Sequence, residues 1–327
     1  MRYLVMGSGA LGTVFGGLLL RAGQQVDFLG RGAHFEALRH QGLSIDGLWG
    51  EVKLGPVSVP PAAAGPLYEV VLLCVKSFDT KTACHQIREL VQPRGLVISI
   101  QNGLGNLENI AQECPAALPV GARVIFGARI SRPGVATVTV YADQVLLGMM
   151  PPAQAPPLLH QVAGHLRQAG IPTAVVPEII PHLWAKVLYN SALNPLGAIL
   201  GVTYGELAAN PHTRKLMQAL IEEIYAVATA KGIRLLQPTA QEYCRHFFAN
   251  LVPPTAAHYP SMFQDLQHGR QTEIESLNGA ICRYGLELGL STPYNDCICQ
   301  IVRFLQHQLQ RTTEVGKQPR TAATGEG

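Results

Sequence analysis

The chain has 327 residues, 47% of them hydrophobic and 14% charged, with a formal net charge of +3. That length accommodates two domains with separate cores, and the composition excludes a disordered chain. The small positive excess is spread out, with no recognition helix rich in Arg and Lys. It argues against a nucleic-acid partner and suits an anionic cofactor and an acidic substrate.

Arg2–Met6 reads as a short apolar strand, followed at once by Gly7-Ser8-Gly9-Ala10-Leu11-Gly12. Thr13–Arg21 reads as a helix closed by Gly23, and Gln25–Leu29 as a second strand. Strand, GxGxxG, helix, strand is the context a dinucleotide-binding fingerprint requires. Gly7 permits the tight turn, Gly9 the approach of a pyrophosphate to the helix N-terminus, and Gly12 close helix–strand packing. The second strand ends in Gly30-Arg31, where an NAD enzyme usually carries an acid for the ribose 2′-hydroxyl. Gly30 would leave room for a 2′-phosphate and Arg31 would pair with it, which predicts NADP(H). Asp27 is the competing acid, but it lies inside the strand.

Glu69–Val75 and Leu96–Ile100 read as buried parallel strands. They end in Lys76-Ser77 and Gln101-Asn102-Gly103, so Lys76 and Asn102 are expected on the cofactor side. Gly134–Val140 and Gln144–Gly148 alternate around Ala142-Asp143, which predicts a hairpin. Prolines 151, 152, 156 and 157 punctuate the start of another helix, and Ile171–Val176 reads as a last strand. After Pro177 long helical patterns replace the strands. His212–Lys231 has Asn210 as cap, Pro211 in the first turn and Gly232 as stop. The expected organisation is α/β followed by all-α: a Rossmann-type domain at 1–176, a helical domain at 177–311 and a disordered tail at 312–327.

His182–Leu200 carries Lys186, Asn190 and Asn194 at intervals of four, so all three project from one face of an otherwise apolar helix. A buried amide without partners costs roughly 1–3 kcal/mol, so two of them in line with an ammonium point to a site. The alternative is a solvated polar face. Pro195 lacks the donor that would bond the Ser191 carbonyl and could leave that oxygen free. Further on, Thr272 and Glu275 fit a capping box, while Glu273 is left to face a ligand, an unusual place given the helix dipole.

The seven cysteines form no framework and no CxxC, which predicts reduced thiols in the cytoplasm. The eleven histidines contain no HExxH, and no metal is expected. The first strand begins at residue 2, leaving no space for a signal peptide, and no apolar run approaches the ~20 residues of a membrane span.

With these residues in hand, the chain resembles the ketopantoate reductase (2-dehydropantoate 2-reductase) family over roughly residues 1–305. The matching segments are GSGALG at 7–12, Arg31, VKS at 75–77, QNGLG at 101–105, LWAKVLYNSALNPLGAI at 183–199, and SMFQD through TEIESLNG at 261–279. The resemblance implies an NADPH-binding Rossmann domain, a helical second domain, and reduction of a small 2-oxo acid, ketopantoate, to pantoate. It implies that Lys186 protonates or polarises the ketone and that Asn190 and Asn194 hold the substrate. Ser261 would bind the substrate's carboxylate region, with Asn102 and Glu273 close to the nicotinamide. Tyr204 and His258 stand about where well-known members carry Asn. Rival readings are a relative acting on another 2-oxo acid or an opine-type imine, and a non-catalytic NADPH sensor. Oligomeric state is left open, a homodimer included.

Overall fold

The computed structural model describes residues 1–62 and 65–315, with side chains as far as residue 309. The chain divides into two compact units, Met1–Lys186 and Val187–Gly327. A helix at Ile180–Leu200 carries the chain from one into the other.

The first unit is built on one nine-stranded sheet. Its strands are β1 (Arg2–Met6), β2 (Gln25–Leu29), β3 (Leu43–Gly47), β4 (Val52–Leu54), β5 (Tyr68–Leu73), β6 (Val91–Ser99), β7 (Leu118–Arg132), β8 (Val135–Gly148) and β9 (Thr173–Val175). They lie in the order β2-β1-β5-β6-β7-β8-β3-β4, with β9 on β8. From β2 to β7 every pairing is parallel. Five helices serve it: α1 (Ala10–Arg21), α2 (Gly32–His40), α3 (Thr80–Ile87), α4 (Asn106–Glu113) and α5 (Pro157–Gln168).

Alternation along β1 shows why the central strands read as continuous apolar runs. Tyr3 and Val5 join Phe15, Leu18 and Leu159 on one face of the sheet, with α1 and α5. Leu4 and Met6 join Ala83, Ile87 and Ile110 on the other, with α3 and α4. Successive strand side chains point to opposite faces, so a sheet covered on both needs apolar residues at every position. Each large side chain buried this way contributes about 1.5–3 kcal/mol.

The predicted hairpin fails. Residues 135–148 are a single strand, and the hairpin partner of β8 is β7. The turn is at Pro133-Gly134, between the paired residues Arg132 and Val135. Pro supplies the fixed first corner and Gly134, at φ +82°, the left-handed second one, as a type II turn demands. Ala142 lies where the register shifts between Asp143 and Tyr141, so the polar interruption there is an irregularity in the ladder.

The described part of the second unit is helical beyond the division. After α6 (Ile180–Leu200) come α7 (Tyr204–Ala209), α8 (Pro211–Ala230), α9 (Ala240–His246), α10 (Ser261–Gln267), α11 (Asn278–Glu287) and α12 (Pro293–Val315). The Asn210 side chain accepts from the His212 N–H, the expected cap of α8. Residues 312–315, expected to begin a tail, extend α12. The rest of that stretch lies outside the described residues. No described helix is long and apolar enough to cross a membrane.

Candidate functional site

In the first unit the order β2-β1-β5 makes a topological switch: the chain leaves β1 for β2 on one side, while β5 pairs on the other. Ligands bind beyond the carboxyl ends of strands at such a point. The Gly7–Gly12 loop follows β1, and Lys76 follows β5. Gly7 has φ +102°, and a Cβ there would stand 2.6 Å from the Val75 backbone nitrogen. A Cβ on Gly12 would stand 2.1 Å from the Gly7 carbonyl oxygen. A Cβ on Gly9 would meet nothing within 4 Å, so the face over the start of α1 is open. That first turn contains no acid and no side-chain cap. Its early N–H groups, those of Ala10, Leu11 and Gly12, are of the kind that bind a phosphate. The loop fits the pyrophosphate of a dinucleotide.

Two details differ from expectation. The space that Gly30 leaves is taken by Ser8, since a Cβ at Gly30 would lie 1.9 Å from Ser8 Oγ. Ser8 itself is buried, so Gly30 serves the packing of the loop and opens no pocket. The competing acid, Asp27, is engaged away from the carboxyl ends. Its Oδ2 accepts from Arg2 Nη2 at 2.8 Å and from the Tyr68 hydroxyl at 2.7 Å, both at the amino ends of their strands. Arg31 precedes α2 with its side chain 86% exposed, and its Nη2 lies 2.7 Å from Asp79 Oδ2. A pair this exposed is worth at most about 1 kcal/mol and yields readily to a stronger anion.

The loops after β5 and β6 are tied together by a network that sequence reasoning missed. Gln101 Nε2 donates to the Val75 carbonyl at 3.0 Å and to Thr80 Oγ1 at 2.8 Å. Thr80 Oγ1 reaches Asn106 Oδ1, and Asn106 Nδ2 donates to the Asn102 carbonyl at 3.0 Å. Lys76 and Asn102, both half-buried, are thus mounted on a cross-linked scaffold. The available signal was the density of amides and hydroxyls in Thr80 and Gln101–Asn106.

His34 holds another junction. The Gly134 N–H donates to its Nδ1 at 3.1 Å, which makes Nδ1 the acceptor. Nε2 therefore carries the proton and donates to Thr13 Oγ1, 2.9 Å away in α1. Burial lowers the imidazole pKa and keeps this tautomer neutral.

On α6 the stripe runs from half-exposed to buried. Lys186 is half-buried, Asn190 is 8% exposed and Asn194 5% exposed. This is no solvated face. Asn190 makes no side-chain hydrogen bond among the described residues. Asn194 Oδ1 accepts from the Tyr204 hydroxyl. Pro195 does orphan the Ser191 carbonyl, and Asn278 Nδ2 takes it at 3.1 Å from the first residue of α11. Asn278 also donates to Asn295 Oδ1, and Asn295 Nδ2 to Glu223 at 2.7 Å. The asparagine helix is therefore anchored to α8, α11 and α12 through buried polar contacts.

Ser261 opens α10 and is exposed. Pro260 before it lies so close to Gly197 that a Cβ there would come within 2.8 Å of it. The start of α10 thus meets α6 three residues beyond Asn194. Glu273 is buried, and its carbonyl accepts from the Ser276 N–H at 3.1 Å at the head of a short 3-10 turn. The capping box does not form. Thr272 Oγ1 bonds the Ile274 N–H at 3.3 Å, and Glu275 makes a bidentate pair with Arg303 at 2.7 and 2.8 Å. A fork-shaped donor outcompetes a frayed helix start.

Arg303 holds the Glu275 carboxyl below its ordinary range. A lowered folded pKa means stability present above the unfolded value and lost as pH falls through the folded one. We expect Arg303→Ala to lower the melting temperature by about 2 °C near neutrality, the half-exposed pair being worth under about 1 kcal/mol. The gap to wild type should close as pH falls below the ordinary carboxylate range. Paired thermal melts check this, and a gap independent of pH would assign the loss to packing.

The Ketopantoate reductase PanE/ApbA family model matches residues 3–152, and the model of that family's C-terminal part matches residues 178–306. A 2-dehydropantoate 2-reductase of Aquifex aeolicus is 36% identical over 304 residues, 93% of this chain and 96% of its own. One from Archaeoglobus fulgidus is 34% identical over 311 residues, 94% and 99% of the two chains. Among solved structures, a PanE/ApbA family ketopantoate reductase from Ralstonia eutropha JMP134 superposes with a TM-score of 0.84 at 28% identity, covering 95% of this chain and all of that one.

Proposed function

The chain belongs to the ketopantoate reductase family, and from that premise we propose that it reduces 2-dehydropantoate to pantoate with NADPH, a step towards pantothenate and coenzyme A. The observation that carries the reading is the Lys186, Asn190, Asn194 stripe. One ammonium and two buried amides on a single anchored helix face are suited to an anionic 2-oxo acid. When bound, the reduced nicotinamide supplies hydride to the C2 carbonyl carbon. Negative charge then grows on the carbonyl oxygen, where Lys186 stabilises it and delivers the proton. Asn190 and Asn194 orient the acid, because an angstrom of misplacement costs about a hundredfold in rate. Ser261 adds a hydroxyl for the carboxylate region. Glu273 and Asn102 serve the nicotinamide end.

Gly7, Ser8, Gly9, Ala10, Leu11 and Gly12 form the pyrophosphate loop, with Lys76 beside it. The choice of NADPH rests on Arg31 at the end of β2, where no acid replaces it and Asp27 is already engaged. Exchange of Asp79 for a 2′-phosphate gives the guanidinium a doubly charged partner. Arg31→Ala is expected to weaken NADPH at least tenfold while NADH changes less than twofold, the loss of one charge-assisted contact at an exposed site. Fluorescence titration with both cofactors measures it, and equal losses would remove the clamp.

The activity is tested by following dihydronicotinamide absorbance with ketopantoate, other branched 2-oxo acids and 2-oxo acid plus amine mixtures. Ketopantoate should give the highest kcat/KM. A higher value for another acid would move the substrate, and consumption only with amine present would indicate imine reduction. No turnover with any of them, even at stoichiometric protein, would leave a nucleotide-binding module.

A further inference from the structure

We infer that Tyr204 is a positioning residue for the reaction: its hydroxyl fixes the Asn194 amide with the NH2 group turned towards the substrate. The inference rests on the proposed substrate role of Asn194.

A primary amide has two faces of opposite character, an acceptor oxygen and a donor nitrogen, and they exchange by a half-turn about one bond. A site for an anionic acid needs the nitrogen. On an apolar helix nothing local selects it, since the main-chain groups near Asn194 are committed to the helix or, at the Ser191 carbonyl, to Asn278. The Tyr204 hydroxyl, able to donate or accept, takes the donor role here and gives its proton to Asn194 Oδ1, and an anionic substrate on the other side favours the same orientation. With the oxygen held there, the two N–H donors point the other way. Burial pushes the Tyr204 phenol well above its usual pKa, so the group keeps a proton to donate throughout the working range.

Tyr204 is itself held on every side. It is the first residue of α7, behind a full capping box in which Thr203 and Glu206 bond one another's backbone N–H. Its own N–H donates to the His258 carbonyl at 3.1 Å, and that of Gly205 to the Ala256 carbonyl at 2.8 Å. The ring packs edge-on against Tyr189 at 5.9 Å and tilted against His258 at 5.3 Å. Tyr189 is pinned in turn by a 2.6 Å hydrogen bond with Thr255. A hydroxyl mounted so firmly restrains the amide it touches. Tyr204 and His258, the two departures noted in the sequence, are therefore one assembly, joined to Asn194 through the Tyr204 hydroxyl.

The test is a double-mutant cycle in the full-length enzyme, with Tyr204→Phe, Asn194→Ala and the pair, read as KM and kcat for ketopantoate. Tyr204→Phe should raise KM roughly tenfold with kcat changed less than about threefold, the range for one lost bond to a buried amide. NADPH affinity should stay within about twofold. In the Asn194→Ala background the same change should add less than about twofold, because its target is gone. Asn194→Asp gives a check that does not depend on how the phenylalanine variant folds. It keeps an acceptor for Tyr204 but loses the NH2, and should raise KM as much as Asn194→Ala. The inference is overturned if Tyr204→Phe leaves KM unchanged, if its effect multiplies in full with that of Asn194→Ala, or if Asn194→Asp binds ketopantoate normally. Normal kinetics in Asn194→Ala would overturn the substrate role of Asn194 as well. An impaired Asn194→Ala with a silent Tyr204→Phe would overturn the positioning role alone.

Discussion

Lys186→Ala is expected to lower turnover of ketopantoate by roughly 10²–10⁴-fold, the usual worth of a positioned proton donor. It should raise KM as well, because the same ammonium attracts the substrate carboxylate. NADPH affinity should stay within about twofold. Lys186→Arg separates the two roles. It keeps the cation but not a proton that can be released, so it should recover substrate binding more fully than turnover. Stopped-flow measurement of the hydride step, alongside cofactor titration, provides the readout. An alanine variant with near-normal turnover would show that some other group protonates the alkoxide. One that also lost NADPH would show that the lysine's service is to the nucleotide.

Gly12→Ala should be among the most damaging single methyls in the described residues. Its Cβ would stand 2.1 Å from the Gly7 carbonyl oxygen, a main-chain atom with no rotamer to escape into. Either α1 moves away from β1 or the loop opens, and both displace the N–H groups offered to the pyrophosphate. We expect NADPH affinity to fall at least a hundredfold and the melting temperature by several degrees, at about 1–3 kcal/mol for an overpacked contact. Gly9→Ala is the matched control. Its Cβ meets no protein atom within 4 Å, so fold stability should be untouched while cofactor binding suffers. Calorimetry and titration on the two variants distinguish protein strain from ligand exclusion. Equal destabilisation of both would contradict the geometry.

Much of this was legible in the chain because the signals are local. β1 and β2 match their apolar runs residue for residue, since the fingerprint fixes where one strand stops and the next helix starts. The α6 stripe was visible because an i, i+4 spacing survives any tertiary arrangement. What the sequence concealed depends on partners distant along the chain. Gly134 reads as part of a strand although Pro133-Gly134 is the turn, because the alternation in β8 extends further than one hairpin arm usually does. Glu275 looked like a cap until Arg303, 28 residues later, claimed it. Gly30 suggested vacancy, yet Ser8 fills the space. No spacing rule could have linked Tyr204 to Asn194. Their bond depends on how the chain reverses after α6.

The proline inside α6 makes two positions share one fate. Pro195 withholds a donor from the Ser191 carbonyl, and Asn278 supplies the replacement from α11. A descendant that replaced the proline would regain the main-chain bond and release the asparagine from half its task. One that lost the asparagine first would strand a buried oxygen. Drift at the two sites should therefore run in a fixed order, proline before asparagine.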